Sequence, residues 1–159
     1  MIDRGILGPD DPIEILEGEL VEKIPKNPPH RVATQLIQQL FSNLNANYHA
    51  CCQDSITLIT SEPEPDFAYI RGRLQDYIDR HPGPGDVRLV GEVADSTLNS
   101  DRVRKGRIYA RDGIPEYWIV NLQELQVEVY TEPLQLFEPP KYQNRVDYTS
   151  GSIISLDLD

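Results

Sequence analysis

Residues 87–120 read VRLVGEVADSTLNSDRVRKGRIYARDGIPEYWIV, and the succession of patterns in them decides the fold class. Val87 to Ala94 is almost continuously apolar, which suits a strand buried on both faces near the middle of a sheet. Asn99 to Ala110 has helical periodicity, with Ser100 or Asp101 as its cap. Asp112-Gly113 supplies the stop, and Glu116 to Val120 is strand-like again. Strand, helix, strand in this order is the pattern of a right-handed crossover between parallel strands.

Working outward, IEILEGELVEKI (13–24) alternates around Glu17-Gly18 and predicts a hairpin, which Pro25, Pro28 and Pro29 bring to an end. His30 to about Asn47 predicts a helix. At 100° per residue its Ala33, Leu36, Ile37, Leu40 and Leu44 share one face, with His30 at the edge. Ser55–Ile59 and Asp66–Ile70 read as strands separated by SEPEP. Residues 71–86 read as a short helix and a surface loop. Val127–Tyr130 is a further strand, and the last 25 residues hold one or two weak ones. The expected architecture is a single α/β (α+β) domain over 1–159, a mixed central sheet flanked by helices. Its core spans about 13–131, with C-terminal strands in 132–159.

Composition narrows the function. The chain has 159 residues, 39% hydrophobic and 26% charged, which is a folding composition and not that of a disordered tail. Lys and Arg number 15 against 26 Asp and Glu, a formal charge of −11, so the molecule as a whole is not attracted to a phosphate backbone. A nucleic-acid role then needs a local basic patch, a metal or a partner. No apolar run approaches the roughly 18 residues of a membrane span, and the N-terminus lacks signal-peptide order. Cys51 and Cys52 are adjacent, which excludes a disulfide scaffold and points to a reducing cytoplasm. No P-loop, GxGxxG, zinc cluster or nucleophile elbow is present.

Two carboxylates stand out. Asp66 opens a strand directly after a proline. Glu92 sits inside the most hydrophobic strand, where a carboxylate is costly unless paired, protonated or metal-bound. On neighbouring strands the two could share Mg²⁺, a hard ion that takes oxygen ligands, with the Val93 carbonyl as a third. The competing reading is that both face solvent at strand ends. Arg102, Arg104, Lys105, Arg107 and Arg111 crowd one helix. Arg104, Arg107 and Arg111 share a face, whereas Lys105 lies on the packing side between Ile108 and Tyr109. It either snorkels to solvent or reaches a carboxylate or a reacting oxygen. The arginines are a solvated face or a phosphate-contacting patch.

These residues carry a resemblance. EILEGELVE (14–22), SEPEPDFAYIRG (61–72), GEVADSTLNSDRVRKGRIYARDGIPEYWIVN (91–121) and VEVY (127–130), with SGSIISL (150–156) more weakly, resemble the Uma2 family. This is a set of restriction-endonuclease-like proteins, also called DUF820 and abundant in cyanobacteria. The resemblance implies a PD-(D/E)XK nuclease core in which Pro65-Asp66 is the PD element and Glu92 the second acidic ligand. The lysine that usually follows two residues later is Ala94 here, and Lys105 matches the place to which it migrates in this family. Glu19 is implied as an outer ligand or a group that supports the ligands from behind, and His30 as a recurring helix-start residue of the site. At Gly91 the family often carries a bulkier residue, so a subtle packing difference is expected there.

The implied activity is Mg²⁺-dependent endonucleolytic hydrolysis of DNA phosphodiesters, with Mn²⁺ as a possible substitute ion. Asp66, Glu92 and Val93 hold the ion, Lys105 serves the reaction, and Arg102, Arg104 and Arg107 meet flanking phosphates. The alternatives are an inactive nuclease-fold module that binds nucleic acid or is structural, and a hydrolase of another phosphodiester. A homodimer is expected, because the chain is small and EYWIV and VEVY supply aromatic edges.

Overall fold

Glu17 and Gly18 both have left-handed backbones, with φ of 54° and 78°, the geometry whose twist suits a two-residue hairpin turn. They join β1 (Ile13–Leu16) to β2 (Glu19–Glu22). The computed structural model describes residues 11–42 and 44–158. After β2, Asn27 caps α1 (Pro28–Phe41) by accepting the His30 N–H at 3.0 Å. Pro28 and Pro29 occupy the first turn, where a missing N–H is harmless.

The central sheet has six strands: β3 (Tyr48–Cys51), β4 (Phe67–Arg71), β5 (Val87–Ala94), β6 (Glu116–Asn121), β7 (Gln126–Leu134) and β8 (Lys141–Thr149), in that spatial order. Only β5 and β6 run parallel, so the sheet is mixed. A parallel neighbour demands a crossover. It is built as α2 (Leu98–Ser100), a π-helical turn (Asp101–Lys105) and α3 (Gly106–Arg111). Alternation along β5 sorts the layers. Val90 and Ala94 face Ile108 and Tyr109 of the crossover. Leu89 joins Phe41, Tyr48, Phe67 and Tyr69 on the α1 side.

Several expectations needed correction. Alpha-helical structure stops at Phe41 and does not run to Asn47. The helix is also turned by about 95° from the expected face, at 100° per residue. Thr34 and Phe41 are buried, whereas Leu36, Leu40 and Leu44 are exposed. Its ends set that rotation: His30 bonds Asp66, and the Phe41 ring packs on Phe67, Tyr69 and Trp118. Ser55–Ile59 is extended but pairs with no strand. Ile56 and Leu58 are buried and give the alternation, while their N–H groups bond the nearby Pro63 and Ser61 carbonyls. Residues 71–86 hold two short 3₁₀ turns, Leu74–Tyr77 and Pro84–Asp86. EYWIV and VEVY are not edges: β6 and β7 are interior, and β3 and β8 bound the sheet. Among the described residues no helix is long and apolar enough to cross a membrane.

Gly91 is more than a subtle variation. It pairs with Phe67 across β4 and β5, and a Cβ there would lie 1.9 Å from the Phe67 Cζ. The ring occupies the missing side chain's space. Gly91→Ala should therefore lower stability by about 2–3 kcal/mol, the upper part of the usual overpacking cost in a rigid core. Phe67→Leu in the same chain should recover part of that loss. Urea midpoints of the two single variants and the double variant check this; strictly additive losses would refute the contact.

Candidate functional site

Continuing the Phe67–Gly91 register by one residue sets Asp66 beside Glu92, on the face that looks toward the crossover. Both are nearly out of water, 5% and 3% exposed. They line one cavity of about 400 Å³ with Glu14, His30, Asp101 and Lys105. The Asp66 Oδ2 accepts the Val93 N–H at 2.9 Å and lies 2.9 Å from the His30 Nε2. Its Oδ1 lies 3.1 Å from the Lys26 ammonium. The Glu92 Oε1 accepts the Tyr109 hydroxyl at 2.7 Å and meets the Lys105 Nζ at 3.0 Å. The same ammonium is 3.5 Å from Glu14.

The crossover positions these groups. In its π-helical turn the Gly106 N–H reaches back to the Asp101 carbonyl, one residue further than in an α-helix. Lys105 and Tyr109 lie four apart, one above the other on the inward face, and both touch Glu92.

The environments push the two carboxyls apart. Burial works to raise the Asp66 pKa, but the bonds from His30 and Val93 and the charge of Lys26 outweigh it and hold the group below the usual carboxylate range. Burial pushes Glu92 up to about 8; Lys105 offsets part of this, and the charges of Asp66, Asp101 and Glu14 add to it. Burial disfavours a charged Lys105, yet Glu92, Glu14 and Asp101 more than restore it and keep the ammonium charged. Asp101, 3% exposed, is raised by burial. Two neighbouring carboxyls driven in opposite directions are a recurring feature of reactive sites.

The structure thus gathers Asp66, Glu92, Val93, Lys105 and His30. It leaves Glu19 out: that carboxylate is largely exposed and bonds Arg104 at 2.6 Å. The hairpin acids that line the cavity are instead Glu14 and Glu22, of which Glu14 is the buried one. Leu16 is the anchored residue, 2% exposed, and Glu14, two before it, shares its face. Lys26, Asp101 and Tyr109 were also missed as site residues. For Tyr109 the spacing of four from Lys105 was an available signal; Lys26 among prolines offered none. The arginines are paired with this chain's own acids, and of them Arg104 also lines the cavity. Arg107 and Arg111 clasp Glu17, Arg104 bonds Glu19 and the Leu16 carbonyl, and Arg102 clasps Glu128.

Among the described residues no set of three or more His, Cys, Asp or Glu is arranged as metal ligands. The donors present nonetheless suit Mg²⁺, which keeps several waters and needs only one or two carboxylates. Two ammonium groups already stand on these carboxylates, a demand for positive charge that a hard cation meets.

A family model described as "Uma2: Putative restriction endonuclease" matches residues 3–158. Among solved structures, a "putative nuclease belonging to DUF820" from Anabaena variabilis superposes with a TM-score of 0.68 at 13% identity, covering 95% of this chain and 85% of that one. At that identity the likeness is one of fold: a restriction-endonuclease-like core. No curated protein matches.

Proposed function

Because the chain belongs to the Uma2 family, we propose that it is a Mg²⁺-dependent endonuclease that hydrolyses DNA phosphodiester bonds at the Asp66–Glu92 cavity. The observation that carries the reading is the convergence of two buried, oppositely shifted carboxyls with a buried lysine on one cavity. Asp66, Glu92 and the Val93 carbonyl would hold Mg²⁺ (or Mn²⁺), whose chemistry when bound is to polarise the scissile phosphate and lower the pKa of water. Lys105 supplies a fixed positive charge for the negative charge that grows on the phosphoryl oxygens as water attacks and the sugar 3′ oxygen departs. Tyr109 fixes the Glu92 carboxyl, and His30 fixes Asp66. Glu19 has no part in this arrangement. A divalent charge in the cavity also offsets the local acidity that would otherwise repel DNA. We place the protein in the cytoplasm, where Cys51 and Cys52 remain thiols, and read it as a homodimer, whose two sites suit the two strands of a duplex.

One observation favours the alternative, a nuclease-fold module without turnover. Arg102, Arg104, Arg107 and Arg111 are all paired with this chain's own acids, and of the four only Arg104 lines the cavity, so few of the expected phosphate contacts are on offer. Nicking of supercoiled plasmid and cleavage of labelled single- and double-stranded oligonucleotides decide between the two. The wild type should cleave with Mg²⁺ and not with EDTA. Glu92→Ala should be roughly a thousandfold slower, the several kcal/mol that such charge stabilisation supplies. Absence of cleavage on all substrates by a folded, Mg²⁺-supplied wild type favours the module.

A further inference from the structure

Between β2 and α1 the chain crosses the mouth of the cavity, and side chains tie it to acids on the facing wall. Lys23 meets Glu64 at 2.6 Å, Lys26 meets Asp66 at 3.1 Å, and the Asn27 amide donates to Asp95 at 2.7 Å. Only Lys26 engages one of the paired site carboxyls. The Asp66 Oδ2 is already committed to His30 and the Val93 N–H. The other oxygen, Oδ1, is the one Lys26 holds. The two partners differ in access: the Lys26 side chain is 35% exposed and that of Asp66 8%. The ammonium therefore stands between solvent and the oxygen that an entering cation would take.

We propose that Lys26 is a substrate-phosphate residue that occupies the cation's place on Asp66 until a divalent ion displaces it. The inference rests on the endonuclease reading of the cavity. An ion at the Asp66 Oδ1 repels the ammonium. Lys26 has a flexible four-carbon stem and a compact charge, and its neighbours are Pro25 and Asn27, whose amide bonds Asp95. Its side chain, 35% exposed, has room to swing toward the mouth, where a phosphodiester entering the cavity presents anionic oxygens. A lysine serves there as a point charge and not as a planar fork. One side chain thus offsets the charge on Asp66 before a cation enters and, once released, adds a phosphate contact to the little that the internally paired arginines offer.

The two roles predict opposite effects of one substitution. In Lys26→Gln the stem is kept and the charge lost. Mn²⁺ binding, followed by the electron paramagnetic resonance of the free ion, should tighten about fivefold relative to wild type, because a competitor is gone. Affinity for a labelled phosphorothioate duplex at saturating Mn²⁺, followed by anisotropy, should fall about tenfold. Lys26→Arg should restore both toward wild type. A role confined to tying down the segment would weaken both or change neither. If the wild type binds Mn²⁺ and Lys26→Gln binds it equally or less tightly, the Lys26 proposal is overturned and the site stands. An unchanged duplex affinity in Lys26→Gln overturns the proposal in the same way. A wild type that binds no Mn²⁺ overturns both this proposal and the reading beneath it.

Discussion

Glu128→Gln should leave the protein about 3 kcal/mol less stable at pH 7, and the gap should close as the pH falls. Glu128 lies on β7 with no exposed surface. It accepts from the Arg102 Nε at 3.0 Å, the Asn121 amide at 2.9 Å and the Tyr130 hydroxyl at 2.6 Å, and Arg145 stands 3.4 Å away. Burial alone would raise its pKa, but the bonds from Arg102, Tyr130 and Asn121 and the charge of Arg145 pull it from 4.5 to about 2. At 1.36 kcal/mol per pH unit, that difference between unfolded and folded states is worth about 3 kcal/mol. The sign follows from the lowered value. The contribution is complete above pH 4.5 and is lost as the pH falls from there through 2. Urea midpoints of wild type and variant at pH 7 and near pH 3.5 read it out. A gap of the same size at both values would show that the carboxylate's charge is not the source. Glu128→Ala should cost somewhat more, because it also opens space in the sheet and leaves the Tyr130 hydroxyl without its acceptor, while Arg102 and Arg145 keep Glu124 and Asp147.

The elements that could be read from the sequence are those in which a single local rule decides. The continuous apolar run of β5, the Glu17-Gly18 turn and the crossover between parallel strands depend on patterns within a few residues. The cost of a carboxylate in an apolar strand was enough to single out Glu92, and the inward side of a helix was enough to single out Lys105. What was not legible depends on partners distant in sequence. The rotation of α1 is set by Asp66 at one end and by Phe67, Tyr69 and Trp118 at the other. The facing of β1 is set by the burial of Leu16, which turned Glu14 inward and left Glu19 to Arg104. The arginine row looked available for phosphate because Glu17, which holds Arg107 and Arg111, lies about ninety positions away. Gly91 gave no sign of its purpose until the Phe67 ring lay over it.

Lys105→Ala should lose at least a hundredfold in turnover while the fold is kept. The ammonium is buried between Glu92 and Glu14, 3.0 and 3.5 Å away. It stays charged despite burial because Glu92, Glu14 and Asp101 surround it. A fixed charge in a site shielded from water is worth more to a developing oxyanion than the same charge in solution, and removing one such group costs roughly 10²–10³ in rate. The interaction strengthens only as the phosphoryl charge grows, so kcat should fall and KM change little. Lys105→Arg should recover only part of the loss, since a planar fork does not reproduce a compact ammonium in the space between Glu92 and Glu14. The direct measurement is the rate of Mg²⁺-dependent plasmid nicking by wild type, Lys105→Ala and Lys105→Arg, with circular dichroism of each. The account predicts equal spectra, activity in the wild type, a loss of a hundredfold or more in the alanine variant and an intermediate rate for arginine. Wild-type nicking by a folded Lys105→Ala protein would contradict it and return Lys105 to a structural ion pair.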